Sequence, residues 1–254
     1  MKISNLIEQI FAYAVSLDQN GGLKNTIFAI ANEIFIMNYD HTVLLRFSLR
    51  KSELSFDQTI SFKANDYDSN LFEEIDGKIV FYSENEMYSR KKICGKSNIS
   101  PEQIKELYRL YAHDLSLRET ICISKKILEL LDDDLSHIEF SGRKGEKLKL
   151  IQRNIYSGGI IEIQEKNKQG FFTNSLKADF GPVGIKTNDF KSLFTFEDTL
   201  NFHFPCENDD YVIVKSMNES KRNMTGILSC CLYDEIIKIK ETNHGRQKQK
   251  IRRS

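Results

Sequence analysis

The stretch of sequence that decides the fold is ISKKILELL, at residues 123–131. A strand-like run at 120–123 leads into it, and Ser124 is a residue type that caps helices by accepting a backbone N–H. Four apolar residues follow at helical spacing: Ile127, Leu128, Leu130 and Leu131. We therefore predict a short strand that passes directly into a helix.

Strand-like segments follow this helix, rich in Ile, Phe and Val and separated by turns that contain glycine. They lie at 136–141, 147–155, 160–165, 171–179 and 183–186. A short helix is predicted from Thr187 or Asn188, because Phe190, Leu193 and Phe194 then share one face. Three last strands are predicted at 200–204, 211–217 and 224–233.

The first half of the chain shows the same order of elements. A first helix is predicted from an apolar stripe at three- and four-residue spacing, formed by Leu6, Ile7, Ile10, Phe11, Ala14 and Val15. Its polar face holds Glu8, Gln9, Tyr13 and Ser16. Strands are then predicted at 26–31, 34–39, 42–50 and 58–63.

A short helix and a hairpin complete this first half. The helix is capped by Asn65 or Asp66 and carries Tyr67, Leu71 and Phe72 on one face. After the turn signal Asp76-Gly77, a hairpin is predicted at 78–83 and 87–94. The order of helix, strands, short helix and strands therefore occurs twice, which indicates an internal repeat of structure.

A connector separates the two halves. Ser100-Pro101-Glu102-Gln103 predicts a helix start, with Ser100 as cap, Pro101 at the first position and Gln103 as the capping-box partner. Its apolar stripe is predicted to be Ile104, Leu107, Leu110 and Tyr111.

The predicted fold class is α+β, with two similar domains that each place two helices on a mostly antiparallel sheet. We assign domain 1 to residues 1–98, the connector with its helix to 99–118, domain 2 to 119–237 and a basic C-terminal tail to 238–254.

Composition narrows the function classes. The 254 residues hold 36 basic and 36 acidic side chains, which excludes a strongly basic, histone-like protein. The five cysteines form no CxxC pair and are interpreted as reduced thiols of a cytoplasmic protein. Because no apolar run reaches the roughly 18 residues of a membrane span, no membrane association is expected.

Catalytic and metal-binding patterns are missing from the sequence. It contains no GxxxxGK[ST], GxGxxG, HExxH or GxSxG motif, and its five histidines are scattered. Asp132-Asp133-Asp134 is the one dense carboxylate cluster, but consecutive positions at a helix end point in different directions. We therefore predict a protein that is not an enzyme, with no catalytic residue, metal or cofactor.

The C-terminal tail, residues 238–254, has a charge of its own, with seven basic residues against the single acid Glu241. Two interpretations stay open. The tail is a disordered solubilising segment, or it is an arm that contacts nucleic-acid phosphates.

The duplicated order of elements, together with particular segments, resembles the DNA sliding clamps, and most closely those of large tailed bacteriophages. In the first half the similar segments are 1–4, 25–30, 60–62, 67–72 and 76–81. In the second half they are 123–131, 134–138, 209–214 and 226–230. The helix near 101–113 and the basic tail depart from the family pattern.

The resemblance implies a ring of three chains, a homotrimer with six domains, that encircles duplex DNA without reading its sequence. It implies a processivity factor that tethers the replicative DNA polymerase and is placed on DNA by a clamp loader. By analogy, one subunit edge is expected near 89–94 and its partner near 172–178. The interface residues would then be Arg90, Lys92, Phe172, Asn174 and Leu176.

Sliding requires weak attraction to phosphates rather than base contacts. The candidates for DNA contact are Lys2, just before the first helix, Lys125 and Lys126 in the first turn of the helix at 124, and Lys191 on the short helix. Lys125 and Lys126 oppose the helix dipole, which favours a functional reason for their position. The alternative is that these lysines are only solvated.

Two other hypotheses stay open. The first is a different viral replication accessory protein that binds nucleic acid, either as a single-strand binder or in complex assembly. The tail and the 17 Phe and 10 Tyr residues motivate it. The second is an enzyme whose site is assembled from residues that no motif reveals.

Overall fold

The computed structural model describes just over half of the 254-residue chain. The described residues are 9–10, 13–14, 26–30, 32–38, 42–49, 60–63, 71–75, 78–82, 92–93, 100–112, 115, 118–154, 160–163, 176–195, 197–206, 211–216 and 223–229.

Two compact units make up the chain. Unit 1 comprises Met1–Asp114 and Asn218–Ile227, and unit 2 comprises Leu115–Met217 and Leu228–Ser254. Each unit is built on antiparallel strands, as predicted from the sequence.

The main sheet of unit 1 contains four strands from the start of the chain: β1 (Thr26–Ile30), β2 (Glu33–Met37), β3 (Val43–Ser48) and β4 (Ile60–Lys63). The strand order is β4-β1-β2-β3, and the sheet continues from β3 to the last described strand, β15 (Asn223–Ser229). Phe28 stands opposite Phe35 on β2. Both rings are buried, so this pair lies in the core of the unit.

A second sheet of unit 1 has the order β5-β6-β7 and is formed by β5 (Leu71–Ile75), β6 (Lys78–Tyr82) and β7 (Lys92–Ile93). The expectation that Leu71 and Phe72 lie on a helix is wrong, because both belong to β5. The pairing of Ile75 with Lys78 leaves only Asp76-Gly77 between β5 and β6, so this turn joins the two strands in a tight hairpin. The predicted cap residues 65 and 66 lie outside the described residues.

The helix α1 (Pro101–Ala112) confirms the helix predicted in the connector. Its start forms the expected capping box: Gln103 donates its backbone N–H to Ser100 Oγ, and Ser100 donates its own to Gln103 Oε1. Among the side chains that the structure describes in this helix, Pro101, Ile104 and Tyr108 are buried, while those of the predicted stripe residues Leu110 and Tyr111 lie outside the description. Leu107 was expected in this stripe but is exposed, because Tyr108 takes the position that faces β2 and β3.

The first predicted helix is described at two places, Gln9–Ile10 and Tyr13–Ala14, and both are helical. Ile10 and Ala14 are buried as predicted. Tyr13 was assigned to the polar face and is buried too, at 3% exposure, so the buried stripe is wider than the sequence indicated.

Unit 2 begins with β8 (Arg118–Ser124) and a 3₁₀ helix, η1 (Lys125–Leu130), and includes the helix α2 (Thr187–Leu193). Its four-stranded sheet has the order β11-β10-β9-β12, and a second set of strands has the order β14-β13-β8. These strands are β9 (His137–Gly142), β10 (Lys149–Arg153), β11 (Ile160–Ile163), β12 (Phe180–Lys186), β13 (Thr199–Pro205) and β14 (Tyr211–Ser216).

Phenylalanine rings fill the core of unit 2. Phe190 on α2 lies 5.5 Å from Phe140 on β9 and 5.3 Å from Phe202 on β13, measured between ring centroids. Phe204 lies 5.0 Å from Phe140. These rings are fully buried and attach α2 to the strands beneath it.

Two expectations in unit 2 need correction. The helix after Ser124 is a 3₁₀ helix of six residues in which Ile127 is buried and Leu130 is 43% exposed. The strand predicted at 171–179 is not formed at 176–179, where the backbone bends toward other partners, and 171–175 lie outside the described residues.

Candidate nucleic-acid interface

Three of the lysines predicted to contact DNA, Lys125, Lys126 and Lys191, lie on one surface of unit 2. This surface is formed by η1, the loop after it and α2. We define this helical surface as residues 125–136 and 187–193. The backbone N–H of Thr187 donates to the carbonyl of Ser136 at 2.9 Å, and Thr187 Oγ1 donates to that of Leu135 at 2.6 Å. These bonds join α2 to the loop, so both parts contribute to one surface.

Lys125 and Lys126 occupy the first turn of η1, as predicted, and both are exposed. Ser124 Oγ accepts the N–H of Lys126 at 3.4 Å, and the N–H of Lys125 donates to the carbonyl of Asp198 at 2.7 Å. The buried side chain of Ile127 anchors this turn. The two charges are therefore presented to solvent from a fixed backbone.

Lys191 lies on α2, as predicted, but its ammonium group forms an ion pair with Asp133. Its side chain is 23% exposed, whereas that of Asp133 is 90% exposed. A phosphate would have to compete with this carboxylate for the Lys191 charge. Lys2 lies outside the described residues.

The loop that carries Asp132, Asp133 and Asp134 is held by a residue that sequence analysis did not single out. Gln152 is fully buried, donates from Nε2 to the carbonyl of Asp132 at 2.6 Å and accepts the N–H of Asp132 on Oε1 at 2.8 Å. Asn154 Nδ2 donates to the carbonyl of Asp134 at 3.1 Å. The backbone that carries the three carboxylates is thus held at the end of η1.

The helical surface carries a net negative charge. Its cations are Lys125, Lys126 and Lys191, and its acids are Glu129, Asp132, Asp133, Asp134 and Asp189. Three positive charges therefore face five negative ones, and one of the three is already paired. The predicted DNA-contact lysines are present here, but they do not form a basic patch.

The predicted interface residues are described in part. Lys92 lies on β7, at the outer side of the three-stranded sheet, where it pairs with Phe81. Leu176 is buried in unit 2, and its backbone bonds to Glu146 and Gly145. Arg90, Phe172 and Asn174 lie outside the described residues.

Glu119 is a second residue that the sequence did not reveal. Its carboxylate is almost fully buried and accepts the backbone N–H groups of Lys177 and Ala178, at 3.0 and 2.9 Å. These bonds engage the end of the segment that was expected to form a subunit edge. No local pattern signals this contact, because Glu119 is 58 positions before Lys177.

His203 is the most perturbed titratable group among the described residues. Its Nδ1 lies 2.9 Å from Thr120 Oγ1 on the paired strand β8, and its buried Nε2 has no hydrogen-bond partner within the described part of the chain. Burial, with smaller contributions from Lys215 and Arg118, lowers the pKa of His203 to about 4. The imidazole is therefore neutral at physiological pH.

Among the described residues, no group of three or more His, Cys, Asp or Glu side chains is arranged to hold a metal ion. Within the same residues, no helix is both long and apolar enough to cross a membrane.

Comparisons with known proteins identify the architecture. No protein-family model and no curated protein sequence matches the chain. Among solved structures, it is similar to the PCNA2–PCNA3 complex from Sulfolobus tokodaii, with a TM-score of 0.54 and 12% identity, over 87% of this chain and 96% of that chain.

The chain is also similar to DNA polymerase III subunit beta from Pseudomonas aeruginosa, with a TM-score of 0.59 and 8% identity, over 91% of this chain and 66% of that chain. It thus spans just under two thirds of that subunit. Both matches extend over nearly all of the present sequence, and the strands and helices agree with the predicted α+β class. The chain has the fold of the DNA sliding clamps.

Proposed function

We propose that this protein is a DNA polymerase sliding clamp, a processivity factor that encircles duplex DNA and tethers the replicative polymerase. The observation that carries the proposal is the structural similarity to two sliding-clamp structures, which covers 87% of this chain in one comparison and 91% in the other. The proposed role is topological and needs no catalytic residue or cofactor. Its partners are duplex DNA, a DNA polymerase and a clamp loader.

We further propose a homotrimeric ring, as expected for a chain with two similar domains. Ring closure requires sheet edges that can pair with another chain, and the described sheets offer several. β7 is one of the two outer strands of the three-stranded sheet, and β11 is one of the two outer strands of the four-stranded sheet. Unpaired strand edges invite pairing with another chain.

We place the subunit contact between β7 of one copy and β11 of the next. Lys92 remains part of the proposed interface through β7. For the partner edge, β11 is favoured over 172–178, since Glu119 already occupies the N–H groups of Lys177 and Ala178. Arg90, Phe172, Asn174 and Leu176 stay predictions.

The resemblance of the segments quoted above to phage clamps supports an origin in a large tailed bacteriophage and a place of action in the host cytoplasm. The polymerase and loader would then be the phage's own. Their docking site is proposed near residues 95–118 and the last strand.

Light scattering behind size exclusion tests the proposal. The expected mass is three times 29.5 kDa, with dissociation on dilution. A mass of 29.5 kDa at every concentration, together with binding to short single-stranded oligonucleotides, would instead favour the hypothesis of a single-strand-binding accessory protein.

Two proline variants locate the contact. Successive N–H groups of a strand point to opposite sides, so Ile161→Pro and Glu162→Pro remove one N–H that faces β10 and one that faces outward. The variant that removes the outward-facing N–H is expected to lower the mass to that of a monomer with an unchanged melting temperature. The variant that removes the N–H facing β10 is expected to lower the melting temperature, because it breaks a hydrogen bond within the sheet. Trimers from both variants would exclude β11 as the edge.

A further inference from the structure

A turn between two strands of unit 2 carries a dense group of basic residues. The hairpin of β9 and β10 turns at 143–148, and the segment 176–179, just before β12, runs beside it. With the first residue of β10, these two segments present five exposed cations and two exposed acids. The cations are Arg143, Lys144, Lys147, Lys149 and Lys177, and the acids are Glu146 and Asp179. We define these seven residues as the basic turn, which has a formal net charge of +3.

Backbone hydrogen bonds join the two segments of the basic turn. The N–H of Glu146 donates to the carbonyl of Arg143 at 2.9 Å, and Gly145, with a φ of 83°, has the left-handed backbone that such a tight turn requires. Leu176 donates to the carbonyl of Glu146 at 3.0 Å and accepts the N–H of Gly145 at 2.8 Å. Its buried side chain packs on Gly142, where a Cβ atom would collide with it. Both segments therefore present their charges from one backbone framework.

Two carboxylates strengthen this framework. Glu119 accepts the backbone N–H groups of Lys177 and Ala178 at 3.0 and 2.9 Å. Asp179 Oδ1 accepts the backbone N–H of Lys144 at 2.6 Å. Because both carboxylates bind backbone N–H groups, these hydrogen bonds leave the ammonium groups of Lys144 and Lys177 for other partners.

The basic turn and the acidic loop, residues 132–134, lie at opposite ends of the same strands. Gln152 holds the acidic loop beside the start of β9, whereas the basic turn follows the end of that strand. From His137 to Gly142 the strand spans roughly 17 Å, at about 3.4 Å per residue. This span is longer than the Debye length of about 8 Å at physiological ionic strength. The acidic loop therefore does little to neutralise the basic turn.

Three cations of the basic turn are more available than Lys191 on the helical surface. Lys191 is already paired with Asp133. Within the part of the chain that the structure describes, no ion pair engages Arg143, Lys144 or Lys177. Duplex DNA carries about one negative charge per 1.7 Å of its axis, and Lys and Arg gain nonspecific affinity for it by displacing counterions. These three side chains can meet a phosphate without first breaking an ion pair of the kind that holds Lys191.

We infer that the basic turn binds the phosphate backbone of duplex DNA and contributes more to DNA affinity than the helical surface of unit 2. The inference rests on the proposed clamp function, because it names a DNA contact of that same clamp. Contacts of Arg and Lys with phosphates carry no sequence information, which suits a protein that moves along a duplex.

Equilibrium binding of the full chain to a duplex of about 30 base pairs, over a range of salt concentrations, tests this inference. The turn variant removes the three available cations of the basic turn, by the changes Arg143→Gln, Lys144→Gln and Lys177→Gln. The matched control removes the three cations of the helical surface, by the changes Lys125→Gln, Lys126→Gln and Lys191→Gln. Both variants change the formal net charge by the same amount and differ in where the charge is lost.

The turn variant is expected to lose at least about tenfold in affinity at about 50 mM salt. The slope of log K against log salt should become shallower by about 2 to 3 for each basic turn that engages, from roughly 0.9 per phosphate contact. The control variant should lose less than about threefold, with a slope change below about 1. Wild-type affinity in the turn variant would overturn the inference, as would an equal or larger loss in the control.

A charge-conserving variant separates the effect of charge from that of side-chain shape. Arg143→Lys, Lys144→Arg and Lys177→Arg, combined, should keep the affinity within about twofold of the wild type, because a phosphate attracts either cation. A loss as large as that of the turn variant would overturn the inference. Mass and melting temperature of both basic-turn variants should equal those of the wild type, since the changed side chains are exposed.

Single-stranded DNA of the same length separates two further outcomes. A basic turn that increases affinity for single strands and not for duplex would also overturn the inference. The oligomeric mass reports on the proposed function independently. A trimer whose duplex affinity does not depend on the basic turn contradicts this inference alone, whereas a monomer contradicts the clamp itself.

Discussion

At the scale of single residues, buried polar side chains fix the geometry of the helical surface. Gln152 is the clearest case, because its amide satisfies both the N–H and the carbonyl of Asp132 from a fully buried position. A buried amide whose donors and acceptor are all engaged selects one loop conformation. The acidic loop is therefore a fixed part of unit 2.

Replacing Gln152 should destabilise the protein measurably. Gln152→Ala removes the acceptor of the Asp132 N–H and one donor to each of the carbonyls of Asp132 and Leu135, and we expect a loss of about 1–3 kcal/mol in the free energy of unfolding. Asn154→Ala removes one exposed hydrogen bond and should cost less than about 1 kcal/mol. Urea unfolding measures both, and equal losses would show that Gln152 does not anchor the loop.

His203 predicts a pH dependence of stability. Its pKa is about 4 in the folded protein and near 6.5 in the unfolded chain, so the unfolded state binds more protons between these values. Stability should therefore fall as the pH falls from 6.5 toward 4, with no further loss from this group below that range.

The variant His203→Gln cannot take up this proton. We expect its free energy of unfolding to change less steeply than that of the wild type between pH 6.5 and 4, whatever its stability at pH 7.5. Urea unfolding at five pH values gives the two slopes. Parallel slopes would mean that His203 protonates equally in both states.

At the scale of elements, α1 is held to unit 1 by one side. Tyr108 packs edge-on against Phe35, 5.9 Å between ring centroids, and Arg46 lies 5.1 Å from the Tyr108 centroid. Glu33 extends this contact by pairing with both Arg46 and Lys105. The helix predicted in the connector thus packs on the sheet of unit 1.

Neighbouring positions of α1 should respond differently to truncation. Tyr108→Ala removes a buried aromatic ring and should cost about 3 kcal/mol, whereas Leu107→Ala, at a side chain 40% exposed, should cost less than about 1 kcal/mol. Thermal and urea unfolding compare the two. A greater loss for Leu107→Ala would restore the stripe predicted from the sequence.

Elements governed by local chemistry were predictable. The capping box at Ser100 and the strand that follows the turn Asp76-Gly77 depend on neighbouring residues, and the structure has both. The 3₁₀ form of η1 was not predictable, because its end is set by Gln152, 20 positions after Asp132. The same holds for 176–178, whose partner Glu119 lies in another strand.

The candidate site was predictable in position but not in charge. Sequence analysis placed Lys125, Lys126 and Lys191 on helices of one domain, and they lie on one surface of unit 2. The ion pair of Lys191 with Asp133 depends on the packing of α2 against the loop, which spans 58 positions of sequence. Tertiary contact therefore decides which lysines remain available.

At the scale of the whole molecule, the proposed function is that of a ring around duplex DNA. Topological linkage, rather than charge, would then keep the protein on DNA.

Topological retention tests this central claim most directly. A linear duplex is fixed to a bead at one end, the protein is allowed to thread over the free end, and that end is then blocked with a bulky protein. The beads are washed at about 1 M salt, where electrostatic attraction is screened beyond roughly 3 Å. A clamp is expected to stay on blocked duplex, to leave open duplex, and to be released when the blocked duplex is cut. Equal loss from blocked and open duplex would contradict the account.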